Sequence, residues 1–290
     1  METTREFLLT WEFNLFLTTN LVLITGWYIW AMLRVNRAHP TFKWSRLRAT
    51  SFLTGMALLA IVWVGPIGAW DQVFFWAHMT QHITIMMVAS PLIILGGPIL
   101  LIYRVSSPHT RRKTLIPILR SKVVWWLTNP YLTWLLFAGV LVGTHFSPFY
   151  NITLEHDATH VFIEQPLYLI ASLLFYYPIM GSNLSPRRMP PALRVASLAL
   201  MMIPEIIVGF VIYASPVVLY SAYATVERPF GLDPLSDQQL AGGMMWALGM
   251  VIDTLWISIA VAEWFTSEEK RNRFVDREVA QQLRDEAEPR

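Results

Sequence analysis

Apolar residues in this chain do not alternate with polar ones in the way that marks one wet and one dry face. They run together in long stretches separated by short polar segments, and about 20 such residues are what a helix needs to cross the hydrocarbon core of a bilayer. Seven charge-poor stretches of that kind lie at roughly 12–33, 50–70, 72–103, 123–146, 158–179, 195–219 and 239–262. They predict an all-α, polytopic domain of seven transmembrane helices over residues 1–266, followed by a charged tail, 267–290, of helical composition. The third stretch, Gln72 to Tyr103, holds 32 residues without a formal charge. As one helix it would be ~48 Å long, so Pro91 and the Gly96-Gly97-Pro98 cluster are expected to kink or end it.

Composition agrees: 54% of the 290 residues are hydrophobic and 14% charged, against about 25% charged in soluble domains. That is too little polar surface to coat a globule of this size. The placement of the charges predicts an orientation, because cytoplasmic loops carry the Lys/Arg excess. Arg34 to Arg48 fall between stretches one and two, Arg104 to Lys122 between three and four, Arg187, Arg188 and Arg194 after five, and six more in the tail. Twenty of the 22 basic residues thus share one side, with Arg5 and Arg228 on the other. The N-terminus is expected outside and the C-terminus in the cytoplasm. Neither an early basic region nor a small-residue cleavage site precedes the first stretch, which reads as a retained anchor. Topology accounts for the net charge of +2, so the bilayer is the implied partner and nucleic acid is not.

Within this frame the histidines stand out. His78/His82 and His156/His160 are His-x-x-x-His pairs, and residues i and i+4 of a helix share one face about 6 Å apart. His78 and His82 follow Asp71 by ~10 and ~16 Å of helix, while His145 and His156/His160 lie at the outer ends of stretches four and five. Five of seven histidines thus gather in the outer half, with His39 and His109 in cytoplasmic loops. A single histidine is satisfied by a backbone carbonyl or by the interface; five from three stretches predict a metal centre. Asp71-Gln72, Asp237-Gln238-Gln239, Glu155, Asp157 and Glu164 share that layer. Carboxylates there either orient imidazoles or cap helices.

Thioethers and buried acids widen the chemistry. Met79, Met86 and Met87 flank the first histidine pair and Met244 and Met245 lie in the seventh stretch; packing is the ordinary role of such residues. Thioether with imidazole suits Cu(I), imidazole with carboxylate suits zinc or Cu(II), and the absence of cysteine excludes thiolate ligation. Glu205 and Asp253 lie deep in stretches six and seven with no Lys or Arg in any stretch to neutralise them. Each is either hydrogen-bonded across helices or part of a proton or ion relay. Gly55 and Gly242-Gly243 are read as close helix contacts.

The blocks Trp76-Ala77-His78-Met79-Thr80-Gln81-His82, Ser90-Pro91-Leu92 to Gly96-Gly97-Pro98, His145, His156 to Gly181, and Asp237-Gln238-Gln239 to Met245-Trp246 resemble the CtaG family of caa3-type cytochrome c oxidase assembly factors. The resemblance covers nearly the whole chain apart from the tail. It departs from the family pattern in the fifth stretch, where Gln165, Tyr176 and Tyr177 stand near a position at which a second histidine is common. It implies a multi-pass protein of the bacterial plasma membrane with an oxidase subunit as partner. Such a protein would be no enzyme, and would bind and deliver copper through His78, His82, His145, His156 and His160, with Asp71, Met79, Asp237, Met244 and Met245 as accessory groups. Two other readings stay open. One is an intramembrane zinc hydrolase of the ceramidase type, with zinc on three histidines and an aspartate activating water. The other is a haem b cytochrome, disfavoured because i,i+4 histidines on one helix cannot face each other across a haem.

Overall fold

The computed structural model describes residues 7–41, 43–181 and 189–287, with 270–287 described by backbone alone. Arg5, Arg187, Arg188 and the basic side chains from Lys270 onward, which entered the topology count, lie outside the described side chains. The described residues form helices and no strands. Six of these helices are long and apolar enough to cross a membrane: α1 (Leu15–Ala38), α2 (Arg46–Trp70), α3 (Phe75–Val105), α6 (Asp157–Met180), α7 (Pro191–Ala214) and α8 (Pro234–Glu269). Between α3 and α6, α4 (Pro130–His145) and α5 (Phe149–Glu155) meet at a 65° bend and make a seventh crossing only if taken together.

The fourth stretch is therefore not one helix over 123–146. Lys122–Leu127 is a separate short helix, and Asn129 starts α4 by accepting from the Tyr131 amide, with Pro130 in the first turn. At ~1.5 Å per residue, the 16 residues of α4 reach only ~24 Å. The sixth stretch also ends early, at Ala214, because Ser215 precedes Pro216 and takes an extended conformation. In the other direction, α8 runs unbroken across residue 266 to Ala287.

Helix α3 is the axis of the bundle. It packs against α1, α2, α6 and α8, and 61% of its apolar window is buried, against 22% for α1. Pro91 does not end it. Before the proline the helix widens to a π turn over Thr84–Ala89, which relieves the clash of the pyrrolidine ring with the preceding turn. Pro91 offers no N–H, and the Met87 carbonyl that would have received it accepts instead from Trp256 Nε1 of α8 at 2.8 Å. The sharper break is at Gly97, whose φ of +66° leads into Pro98. Two further π turns, His160–Glu164 in α6 and Met244–Leu248 in α8, also lie in the helices that carry the histidines, acids and methionines, while a fourth, Arg111–Leu115, lies between α3 and α4. Helices α7 and α8 approach closely where Gly209 meets Gly242; a Cβ on Gly209 would sit 2.7 Å from the Trp246 amide. At Gly55 of α2, a Cβ would lie 2.9 Å from the Ala89 carbonyl of α3.

Candidate metal centre

The first histidine pair forms as the helical spacing predicts. His78 and His82 lie in one regular segment, Phe75–Ile83, and their rings, tilted by 55°, have centroids 4.0 Å apart, both buried. None of their four ring nitrogens has a hydrogen-bond partner. Four lone nitrogens in a dry interior are costly unless something binds them.

Opposite them stands Glu164 of α6, fully buried, with Oε1 3.6 Å from His78 Nε2 and 3.7 Å from His82 Nε2. Its Oε2 lies 2.7 Å from His160 Nδ1, and the other nitrogen of that ring lies 3.0 Å from Asp71 Oδ2. His160 therefore bridges two carboxylates, and Gln165 Nε2 lies 3.1 Å from the ring's Nε2. Two overlapping sets share His78, namely Asp71/His78/His160 and His78/His82/Glu164, and in each the donor atoms all lie within 4.8 Å of one another.

His145 closes the group from the end of α4. Its ring centroid is 5.5 Å from that of His82. Its Nδ1 donates to the Leu141 carbonyl at 2.8 Å, which leaves Nε2 as a buried acceptor without a partner. A backbone bond that fixes the tautomer and frees the opposite nitrogen is the usual support of a metal-binding imidazole. Tyr150 and Tyr168 wall the site, at 4.7 Å from His78 and 4.0 Å from His82 between ring centroids.

Among the five histidines proposed as ligands, His78, His82, His145 and His160 are brought together and His156 is not. The His156–His160 pair fails as a helical pair because His156 sits in the hinge between α5 and α6, with φ −135° and ψ 100°. Its side chain is exposed, and Nδ1 meets only the Ile152 carbonyl.

The aspartates divide. Asp71 does not cap a helix: Oδ2 accepts from Gln81 Nε2 at 2.8 Å beside its contact with His160. Asp237 does cap one, but not its own, since Asp233 fills that place for α8 by accepting from Leu235 and Ser236. Asp237 reaches from α8 to the start of α3, where it accepts from the Phe75 amide at 2.8 Å and the Trp76 amide at 3.0 Å. Arg228, one of the two basic residues that broke the charge asymmetry, donates to the same carboxylate at 2.8 Å. Met79 and Met245 are buried on the side of His82 away from Glu164 and border a small cavity there with Glu205, while Met244 is half-buried. Asp253 lies beside Glu205, and Oδ2 of the first and Oε2 of the second are buried without a partner.

Glu164 is the residue whose central place the sequence reading did not foresee; it stood only as a flanking acid. The signal was its position four residues after His160. Gln81 and Gln165 were likewise not singled out as site residues. Their amides bond to each other, Gln165 holds Trp63 Nε1 at 2.8 Å, and together they back the Asp71–His160 contact. Beside Asp71 and His160 lies a cavity of about 250 Å³, lined also by Glu12, Gln72, Asp157 and Gln165. Partial burial pushes the Glu12 carboxyl above its ordinary range, and the charges of Asp71 and Asp157 push in the same direction.

Buried imidazoles with unshared lone pairs and two carboxylates that, among the described residues, pair with no Lys or Arg suit a transition-metal ion with nitrogen and oxygen ligands. The fold and this cluster together define a class, multi-pass helical proteins that bury a histidine and carboxylate centre at one end of the bundle. Within that class the chain belongs to the cytochrome c oxidase caa3 assembly factor family, which it matches over residues 26–267. It is 28% identical over 229 residues to an uncharacterised protein of Mycobacterium bovis and, equally, to one of Mycobacterium tuberculosis, covering 77% of this chain and 34% of each relative. An uncharacterised Mycobacterium leprae protein is 25% identical over 266 residues, 89% of this chain and 40% of the relative. The chain thus spans about a third of the length of the mycobacterial proteins it matches. No solved structure matches.

Proposed function

We propose that this protein takes part in assembling a haem–copper cytochrome c oxidase by holding copper at the His78/His82/His145/His160/Glu164/Asp71 centre and passing it to an oxidase subunit. The observation that carries the reading is the set of five buried ring nitrogens, on His78, His82 and His145, without a partner. Membership of the oxidase assembly family supplies the biological direction and lends nothing to an intramembrane zinc hydrolase.

Copper is the cargo here, and the chain's own residues do the holding. His78 and His82 offer lone pairs from one helix face, and His145 adds a third from α4. Glu164 and Asp71 supply two negative charges, which balance a divalent ion in a site shielded from water. The hydrogen bond from His145 Nδ1 to Leu141 keeps that ring aimed inward. A site of imidazole and carboxylate without thiolate, bordered by a cavity of about 250 Å³, favours release over permanent storage. The charge asymmetry supports an N-terminus outside, a cytoplasmic C-terminus and a centre on the outer face of a bacterial plasma membrane.

The test is metal content by mass spectrometry of the full chain, purified without chelators, beside the His78→Ala/His82→Ala variant. Near-stoichiometric copper that is lost in the variant supports the proposal. Zinc at that level would replace copper as the cargo, and copper retained in the variant would place the site elsewhere.

A further inference from the structure

Below His82, away from Glu164, lies a cavity of about 20 Å³, room for one or two water-sized occupants, and its lining is distinctive. Met79, Met86 and Met87 of α3 and Met245 of α8 face it, with His82 at one end and Glu205 of α7 at the other. The π turns explain the convergence. In a regular helix Met79, His82, Ile83 and Met86 share a face, and the extra residue in the turn Thr84–Ala89 brings Met87 to the same wall; the turn Met244–Leu248 places Met245 across from it. Met87 Sδ and Glu205 Oε2 come near the same point beside Gly249, since a Cβ there would sit 3.8 Å from the first and 3.9 Å from the second.

Methionines alone would be read as packing. The second observation is Glu205, which is 4% exposed and whose Oε2 has no hydrogen-bond partner. Asp253 stands beside it, with its own Oδ2 buried and without a partner. Among the described residues no Lys or Arg lines the cavity. Polarisable sulfurs joined by one carboxylate oxygen suit a soft cation of low charge, and a hard ion would find too few oxygens.

We propose that this cavity is a second ion site, taking a soft monovalent cation of the Cu(I) class, with the thioethers of Met79, Met87 and Met245 and Glu205 Oε2 as donors. The site shares His82 as a wall with the histidine centre but takes its donors elsewhere, and only the physiological identity of its ion rests on the copper reading above. No electron transfer is involved.

Silver(I) is the probe, with Cu(I) under a reductant as its companion, added to the full chain in lipid nanodiscs. The readouts are the number of ions bound and sulfur ligation seen by X-ray absorption. Wild type is expected to bind with sulfur ligands. Met87→Leu/Met245→Leu, which keeps side-chain volume and packing, should lose one equivalent and the sulfur signal. Glu205→Gln should weaken that equivalent at least tenfold. His78→Ala/His160→Ala, which leaves the cavity lining intact, should keep it. Silver bound without sulfur ligands, or a stoichiometry unchanged in the methionine variant, overturns the inference while leaving the histidine centre untouched. Sulfur-ligated silver in a protein whose histidines bind nothing would overturn the copper-holding proposal and uphold this one.

Discussion

Asp237→Asn tests how the centre is held in place. The carboxylate receives three donors: the Phe75 amide and Arg228 Nη1 on Oδ2, and the Trp76 amide on Oδ1. Asparagine has one acceptor oxygen and an NH₂ group, so at least one donor must face another donor whichever way the amide turns. Loss of the cap on α3 costs ~1 kcal/mol. Arg228 is only 10% exposed, and removing the partner of a buried charge costs about 3–5 kcal/mol. Its bonds to the Leu232 and Tyr223 carbonyls soften that loss. A net destabilisation of about 3 kcal/mol follows, or a Tm lowered by roughly 6 °C at ~2 °C per kcal/mol for a chain of this size. Tryptophan fluorescence during thermal unfolding of the full chain in detergent reads this directly, and a double-mutant cycle with Arg228→Gln isolates the pair. Because Phe75 and Trp76 begin the turn that carries His78, metal affinity should fall about tenfold in parallel, the size of effect usual for groups that orient ligands. A loss below 1 kcal/mol, or the same loss in the Arg228→Gln background, would refute the reasoning.

His145→Ala should weaken metal binding at least tenfold whereas His156→Ala should leave it unchanged, as equilibrium titration of each purified variant would show. Trp256→Phe should lower stability by ~1–3 kcal/mol, since the Met87 carbonyl freed by Pro91 is then buried without a donor; thermal unfolding checks it. Acidification should strip metal from the centre as protons compete for imidazoles whose ordinary value is ~6.5, so bound metal measured after dialysis should drop as pH falls from 7.5 to 5.5. For Glu12 the sign is opposite to that of a paired acid: its raised value means the folded protein loses stability as pH rises from the ordinary carboxyl range to the shifted one. Glu12→Gln should remove that dependence, seen in unfolding temperatures across pH 4 to 7, and slow metal loading without changing the final stoichiometry.

Much of this protein was legible without its structure, and the reason is the solvent. A bilayer forces the backbone into helices whose apolar lengths are printed in the sequence. The spans, their number to within the bent α4/α5 pair, and the gathering of histidines near Asp71 all follow from run lengths and spacing. The first His-x-x-x-His pair was secure for the same reason, because both residues lie inside one regular helix. The second pair has the same spacing and a different fate, since a hinge at His156 removes the helix on which the i,i+4 rule depends.

What crosses between helices could only be decided by packing. Its place four residues after His160 pairs Glu164 with that ring, but nothing local marks it as the acid that also meets His78 and His82; the packing of α6 against α3 does that. Asp237 reads as a cap from its own neighbourhood, and it is one, but for a helix 162 residues away in sequence. Pro91 reads as a helix breaker, yet Trp256, 169 residues beyond Met87, supplies the hydrogen bond that the Met87 carbonyl would otherwise lack and lets α3 continue. Sequence determined which segments become helices, because that depends on each segment's transfer into lipid. Tertiary structure decided which side chains form the centre, because a ligand set is a matter of distances of a few ångströms between helices that share no local pattern.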